Sequence, residues 1–124
     1  MTNSQLINLL NEMTLDEKDC IIAIEPNQTE RVLGIRFKTI PAYNVNKTFH
    51  PKENGWLGYI IEIDGIKYYI AGDTDANEDN KKVKCDVAFV PVGGTYTMDS
   101  REAAQFMKPK KGMISIYEKS YFSH

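Results

Sequence analysis

Two carboxylates at the end of an apolar segment are the first residues whose types and spacing could do chemistry. The stretch YYIAGDTDAN, residues 68–77, is typical of a strand that ends at Gly72 and is followed by Asp73 and Asp75. A carboxylate just past a strand end, after a glycine that lets the backbone approach closely, suits zinc or a similar ion. The alternative is a simple polar turn, which the local sequence alone favours.

A histidine in a long loop is the second candidate metal ligand. Residues 41–56 have no periodic pattern, and unstructured connections longer than about 12–15 residues tend to be functional or disordered. This loop holds His50; the other histidine is His124, the last residue. The strands that follow would carry the chain back toward Asp73, so a two-ligand site is conceivable. The simpler interpretation of His50 is a loop residue hydrogen-bonded to backbone.

A pair of glycines before a predicted helix is the remaining local signal. The amides of Gly93 and Gly94 could cradle an anion, but the lysine and the spacing of a phosphate-binding P-loop are missing. We interpret this stretch as a tight turn in which Thr95, Tyr96 and Thr97 shape a pocket wall. No nucleophile elbow supports a serine hydrolase.

The composition is that of one soluble globular domain, residues 1–124. Of these residues 42% are hydrophobic and 26% charged, and the net charge of −2 gives no reason to expect nucleic acid or an anionic membrane as partner. Cys20 and Cys85 each begin an apolar run, which predicts buried free thiols. Neither a signal peptide nor a membrane span is indicated, so we expect a cytoplasmic protein.

The elements that must position these residues follow from local patterns. Asp64-Gly65 between two apolar runs predicts a hairpin, and Asp99 with Glu102 predicts a capping box at a helix start. The predicted class is therefore α/β, with one mixed β-sheet and flanking helices. The predicted helices cover 4–13 and 99–107, and the predicted strands cover 20–26, 31–40, 57–63, 66–72, 85–93 and 112–117.

Two long blocks, IPAYNVNKTFHPKENGWLGYIIEIDGIKYYIAGDTD and DVAFVPVGGTYTMDSREAAQFMKPK, resemble metallo-β-lactamase-fold hydrolases over about residues 20–111. The resemblance is to the C-terminal half of small zinc-dependent members with an Ala-Tyr-Asn…Phe-His-Pro-Lys loop. It implies half of an αββα fold, with Asp73 as a metal-bridging aspartate and His50 as a loop ligand. It also implies that six residues line the mouth of the site and bind substrate: Tyr43, Asn44, Trp56, Thr95, Tyr96 and Thr97.

The chain departs from that family in two places. The family's His-x-His-x-Asp-His cluster, which supplies most metal ligands, is absent from this sequence, and Tyr117 falls where a last histidine ligand is expected. We therefore assign no catalytic residue and expect zinc to bind weakly or not at all. The expected function is a hydrolase that is inactive as an isolated chain. The alternative is a non-catalytic oligomeric remnant or interaction module.

A half fold has a further consequence for assembly. The complete fold packs two sheets face to face, so half of it would expose the inner face of its sheet, and such apolar patches mark interfaces. We expect a homo-oligomer formed through this face, or a partner that covers it.

Overall fold

A computed structural model describes residues 3–12, 22–110 and 114–118 of the chain. Six strands form one sheet in the order β1-β2-β3-β4-β5-β6. The helices are α1 (Asn3–Glu12) and α2 (Ser100–Met107), and the strands are β1 (Thr29–Val32), β2 (Ile35–Pro41), β3 (Leu57–Ile63), β4 (Ile66–Ile70), β5 (Val87–Pro91) and β6 (Ile114–Glu118). The first four strands are antiparallel, and β4, β5 and β6 are parallel. The predicted α/β class with a mixed sheet is confirmed.

The two local signals that predicted turns and caps are confirmed. Asp64 and Gly65 join β3 to β4 with φ angles of 51° and 78°, the left-handed values that a tight hairpin turn requires. At the start of α2, Asp99 accepts a hydrogen bond from the Glu102 amide while the Glu102 side chain accepts from the Asp99 amide. This capping box fixes where α2 begins, and with it the loop that precedes the helix.

Two predicted strands are wrong. The segment 31–40 is not one strand but a hairpin, because Leu33 and Gly34 adopt φ angles of 50° and 81° and reverse the chain between β1 and β2. The predicted strand 20–26 is irregular over residues 22–25, and Ile22 is exposed. An apolar run becomes a strand only where it finds a ladder partner, and Thr39 instead binds the Glu25 carbonyl through its side chain. Cys20 lies outside the described residues.

The hydrophobic core lies on one face of the sheet, under α2. Cys85 is buried there and forms no disulfide among the described residues, as predicted, and burial raises its pKa. The packed members are Ile40, Tyr69, Ala71, Val83, Cys85, Ala88, Val90, Met98, Ala103, Phe106 and Met107. One helix and the chain between β4 and β5 therefore cover this face.

The opposite face is also apolar, and we call it the open face. Strand register places alternate residues of β2 to β6 on it, because successive side chains of a strand point to opposite faces. Five isoleucines of this face are 40–43% exposed. The open face comprises Ile35, Phe37, Tyr59, Ile61, Ile63, Ile66, Tyr68, Ile70, Phe89 and Ile116. Such a continuous apolar sheet surface is typical of a packing interface.

Candidate metal site

The stretch that follows β4 separates its two carboxylates into different environments. Gly72 has a φ of 69°, and a side chain there would meet the Leu57 carbonyl at 2.8 Å, so the glycine allows close backbone approach as the sequence suggested. Asp73 is exposed, whereas Asp75 is 5% exposed. Among the described residues, no hydrogen bond or ion pair occupies the Asp73 side chain. A paired-carboxylate mechanism is therefore unsupported, and Asp73 alone presents a free acid.

Asp75 is a structural residue. Its Oδ2 accepts a hydrogen bond from the Val45 amide at 3.0 Å, and its Oδ1 lies 2.7 Å from the Lys47 ammonium. Lys47 also donates to the Thr97 carbonyl at 3.3 Å. A largely buried carboxylate requires such a partner. This ion pair joins the long loop, the end of β4 and the loop before α2, and no local sequence pattern indicates it.

Thr74, between the two acids, is fully buried and organises the same junction. Its hydroxyl accepts from the Tyr43 amide at 3.1 Å and lies 3.0 Å from the Tyr43 carbonyl. Asn77 and Asn80, also buried, direct their amide groups at this hydroxyl from 3.2 and 3.4 Å. Thr74 thus holds the Gly-Asp-Thr-Asp motif in place, and Asp73, the residue before it, is left exposed.

His50 lies in a ring of aromatic side chains. Its ring centroid is 4.7 Å from that of Trp56, 5.6 Å from Tyr96 and 5.9 Å from Phe49. Its backbone has a φ of 55°, a left-handed value that few residues other than glycine adopt. The backbone carbonyl accepts from the Asn44 amide at 2.8 Å. This loop histidine is therefore placed by several contacts at once rather than left loose.

Which nitrogen of His50 is protonated depends on two neighbours. Its Nδ1 lies 3.1 Å from the Tyr96 carbonyl and 3.2 Å from Asn44 Nδ2. With the proton on Nδ1, the ring donates to the carbonyl and leaves Nε2 bare, which is how metal-bound histidines are usually oriented. With the proton on Nε2, the Nδ1 lone pair accepts from Asn44. The first tautomer is the one that can bind a metal ion.

Asn44 carries an unusual oxygen. The residue is 6% exposed, and its Nδ2 donates to the Tyr96 carbonyl at 2.9 Å, which fixes the orientation of the amide. Its Oδ1 is buried without a hydrogen-bond partner among the described residues. A buried polar atom without a partner is costly, and such atoms often mark a site for an ion or water. Amide oxygens are acceptable ligands for hard cations.

Three residues, Tyr43, Lys52 and Asp79, form a latch that connects the long loop to the segment after β4. The Tyr43 hydroxyl donates to Asp79 Oδ2 at 2.7 Å, and Lys52 Nζ lies 3.1 Å from the same oxygen and 5.2 Å from the Tyr43 ring centre. Burial and this hydrogen bond raise the pKa of Tyr43 to about 12. The Tyr43 hydroxyl, with help from Lys52, holds the pKa of Asp79 below its usual value. The Tyr43 hydroxyl therefore has a structural role in the long loop.

The loop before α2 is the tight turn that the sequence predicted. The Gly94 amide donates to the Met98 carbonyl at 3.1 Å and the Gly93 amide to Thr97 Oγ1 at 3.0 Å, so these amides do not form an anion cradle. Thr97 is buried, Thr95 is exposed and Tyr96 is half-buried. Of the six predicted substrate-binding residues, Trp56, Thr95, Tyr96 and Tyr43 reach the surface, while Asn44 and Thr97 are covered.

The two predicted metal ligands lie on either side of one segment. Residues 42–44 bond through their backbone to Thr74 and Asp75 on one side and to His50 and Trp56 on the other. Asp73 and His50 are therefore carried by the two segments that flank residues 42–44. In the described part of the chain, no three His, Cys, Asp or Glu side chains are grouped to hold a metal ion. The residues present fit part of a metal site: a free carboxylate, an oriented imidazole and the unpaired Asn44 oxygen.

Comparison with known proteins gives the family. The profile of the beta-lactamase superfamily domain matches residues 6–111, which is most of the chain. The chain is 32% identical over 111 residues to the UPF0173 metal-dependent hydrolase Ta0764 of Thermoplasma acidophilum, covering 86% of this chain and 49% of that protein. This chain therefore belongs to the beta-lactamase superfamily domain family, as its sequence motifs predicted.

Solved structures agree on the fold. The chain superposes with a TM-score of 0.68 and 24% identity on a candidate metal-dependent hydrolase from Parabacteroides distasonis, covering 84% of this chain and 60% of that one. A candidate Zn-dependent hydrolase of the metallo-β-lactamase superfamily from Thermotoga maritima gives a TM-score of 0.57 at 26% identity, with coverage of 81% and 51%. The chain thus spans about half the length of the relatives it matches. No helix among the described residues is long and apolar enough to cross a membrane.

Proposed function

We propose that this chain carries part of the site of a zinc-dependent hydrolase and does not hydrolyse substrate by itself. The observation that carries the proposal is the exposed Asp73 carboxylate. It stands at the end of β4, on a stretch whose neighbours Thr74 and Asp75 are fixed by buried hydrogen bonds, and the described residues give it no partner. A free acid on a rigid support is suited to an ion rather than to the protein's own stability.

Three groups of the chain would face the metal. Asp73 would supply a carboxylate oxygen, His50 its Nε2, and Asn44 its unpaired Oδ1. When bound, zinc polarises the substrate and lowers the pKa of a coordinated water to near 7. A hydrolytic zinc ion needs about three protein ligands and one open position. With only two strong donors among the described residues, we expect weak binding and little activation of water.

Catalysis is tested with small chromogenic esters and phosphodiesters. The chain, purified without chelator and supplied with Zn²⁺ or Mn²⁺, is expected to give no turnover above a metal-only blank. The control variant is Asp64→Ala, which removes a carboxylate from the turn at the other end of β4. Turnover that disappears in Asp73→Ala but persists in Asp64→Ala would overturn the proposal of an inactive chain. Turnover that is retained in both variants would indicate a contaminating enzyme. Both variants are therefore purified and assayed by the same protocol.

The substrate would lie where the aromatic ring around His50 meets the surface. Trp56 is 40% exposed and Tyr96 is half-buried, and both contact the imidazole, so they can offer apolar area next to the proposed ligand. Thr95 adds a hydroxyl at the rim. The other members of the predicted set, Tyr43, Asn44 and Thr97, would act by holding this wall in place through the hydrogen bonds already described.

Self-association through the open face is part of the same proposal. Strands about 4.8 Å apart, with about five residues each, give this apolar surface an area on the order of 400 Å² in plan, comparable to the largest apolar patch of a typical monomer, which is often functional. A second copy would cover it with an identical surface. We expect Ile66→Lys, on the open face, to shift the chain to monomer in size-exclusion chromatography with light scattering at micromolar concentration. Leu33→Lys, at the β1–β2 turn and 98% exposed, is the control and should leave the assembly intact. A monomeric parent chain would contradict this part of the proposal.

A non-catalytic role is the second candidate. It is favoured by the absence of any three-residue group of metal-binding type among the described residues. Under this alternative, the open face is the functional surface, and Asp73→Ala changes neither the metal content nor the assembly. The two candidates are separated by zinc titration of the parent chain against Asp73→Ala.

A further inference from the structure

A cleft on the core side of the sheet lies away from the candidate metal site. It has a volume of about 420 Å³ and is bounded by β2, β3, β4 and the segment 79–84. Strand register places its deepest residues near the middle of the sheet and its rim toward the Asp64–Gly65 turn, at the opposite end of β4 from Asp73. Its size is within the range of small-molecule sites.

The cleft is strongly basic although the chain as a whole carries a net charge of −2. Five cationic side chains line it: Arg36, Lys38, Lys67, Lys82 and Lys84. The ion pairs found in the described residues involve Lys47 and Lys52, neither of which lines the cleft. Of the five cleft cations, Lys82 lies near enough to Asp79 to help lower its pKa, but none of the five forms a direct ion pair among the described residues. Concentrating unpaired like charges in a concave surface raises the local potential and attracts anions.

The two acids in the cleft do not neutralise it. Glu62 lies between Arg36 and Lys67 in the strand register but is not ion-paired with either of them. Asp79 already accepts hydrogen bonds from Tyr43 and Lys52. The remaining cations are therefore available to a ligand.

The wall that carries Lys82 and Lys84 is held rigidly. The ammonium of Lys110 donates to the carbonyls of Lys81 and Val83 at 3.0 and 2.7 Å, and to that of Asn80 at 3.3 Å. This arrangement fixes the backbone between Asn80 and Val83 from behind. A cleft with a fixed wall binds without the entropy cost of ordering it.

The floor of the cleft is apolar. Ile40 and Val83 are buried, Ile60 is half-buried, and all three line the cavity. An apolar floor under a rim of cations suits a molecule with both a flat or apolar body and strongly anionic groups. Four of the five cations are lysines, which act as point charges and are common partners of phosphate, and the guanidinium fork of Arg36 can also bind phosphate.

We propose that this cleft binds a phosphorylated organic molecule of nucleotide size. Its phosphates lie against Lys38, Lys67 and Lys84, and its apolar body lies on Ile60 and Val83. The site is independent of the metal chemistry proposed above, because it uses neither Asp73 nor His50.

The experiment measures binding of ATP, AMP and pyrophosphate to the full chain by calorimetry in EDTA, which removes any contribution from bound metal. ATP is expected to bind more tightly than pyrophosphate, because only ATP covers the floor, and its affinity should fall as salt rises. Charge reversal at Lys38→Glu with Lys84→Glu should weaken ATP binding by roughly tenfold or more. The matched control, Lys81→Glu with Arg101→Glu, makes the same change of net charge outside the cleft and should change affinity less than about twofold.

Three results would overturn the proposal. The first is no ATP binding at millimolar concentration, and the second is an equal loss in the control variant, which would indicate general surface attraction. The third is tighter binding of a short single-stranded RNA with loss at the same lysines, which would assign the cleft to a macromolecule. Amide NMR shifts of the unmodified chain supply a check that does not depend on variants: ATP should move signals of the cleft residues, and shifts confined elsewhere would contradict the proposal.

Discussion

Replacement of Thr74 by valine tests the hydrogen-bond network that holds the Gly-Asp-Thr-Asp stretch. Valine has nearly the same shape as threonine but lacks the hydroxyl. The side chain is fully buried, and its hydroxyl is the sole partner found for the Tyr43 amide among the described residues, at 3.1 Å. Thr74→Val therefore leaves a partly buried N–H group without an acceptor among the described residues.

The size of the effect follows from what each neighbour retains. The orphaned Tyr43 amide costs about 1–3 kcal/mol. Asn80 Nδ2 keeps the Asp75 carbonyl at 2.7 Å, and Asn77 Nδ2 keeps weaker contacts at 3.4 Å, so these amides lose less. Together we expect Thr74→Val to lower the free energy of unfolding by about 2–4 kcal/mol.

The matched variant is Thr74→Ser, which keeps the hydroxyl and removes one methyl group. It should cost about 1 kcal/mol for the lost apolar contact. Both variants are compared with the parent chain by urea denaturation monitored by circular dichroism, with the denaturant slope checked for constancy. A valine variant as stable as the serine variant, or more stable, would refute the conclusion that the hydroxyl, rather than packing, holds this corner.

Three further substitutions probe the surrounding elements. Tyr43→Phe removes the hydrogen bond to Asp79 and should cost about 1–2 kcal/mol at pH 7. Because the pKa of Asp79 is lowered in the folded chain, this stabilisation is present above the unfolded pKa of about 3.9 and is lost as pH falls through the folded value, so the difference from the parent chain should shrink in acid. Gly72→Ala should cost about 2–4 kcal/mol, because its φ is 69° and the new methyl group would meet the Leu57 carbonyl at 2.8 Å. Asp99→Ala removes the cap of α2 and should cost about 1 kcal/mol in thermal melts.

Each of these variants has a control. Tyr59→Phe alters a half-buried tyrosine outside the latch and should show no loss of stability that depends on acid. Gly55→Ala has the same backbone demand, with a φ of 68°, but no atom within 4 Å of the new methyl group. The difference in cost between Gly72→Ala and Gly55→Ala measures the effect of the contact with the Leu57 carbonyl. Equal costs would show that this contact does not affect stability. Ser100→Ala, one residue past the cap, should be nearly neutral.

The features predicted correctly are those that depend on residues close together in the sequence. Asp64-Gly65 defines a turn through two backbone conformations, and Asp99 with Glu102 defines a helix start through two reciprocal hydrogen bonds. The hairpin at Leu33 was missed because a leucine with a φ of 50° has no local signal and is tolerated only when the flanking strands pair. Short-range patterns thus identified the turn and the helix start whose residue types by themselves favour the observed backbone conformation.

The candidate site was predicted less completely because its supports are distant in sequence. Lys47 meets Asp75 across 28 residues, and Tyr43 meets Asp79 across 36. No periodicity relates such pairs, since each forms only when the sheet has brought the loop to the end of β4. Local pattern and the resemblance to a family singled out Asp73 and His50 as candidate ligands. The ring around the imidazole and the ion pair of Asp75 depend on contacts that form only in the folded chain.

The measurement that tests the central claim most directly is zinc binding by the chain purified without chelator. We predict well under one zinc ion per chain by mass spectrometry, and weak binding in titration that falls further in Asp73→Ala and in His50→Ala. Glu62→Ala, a carboxylate on the core side of the sheet, should have no effect. Close to one or more tightly held zinc ions per chain would contradict the account.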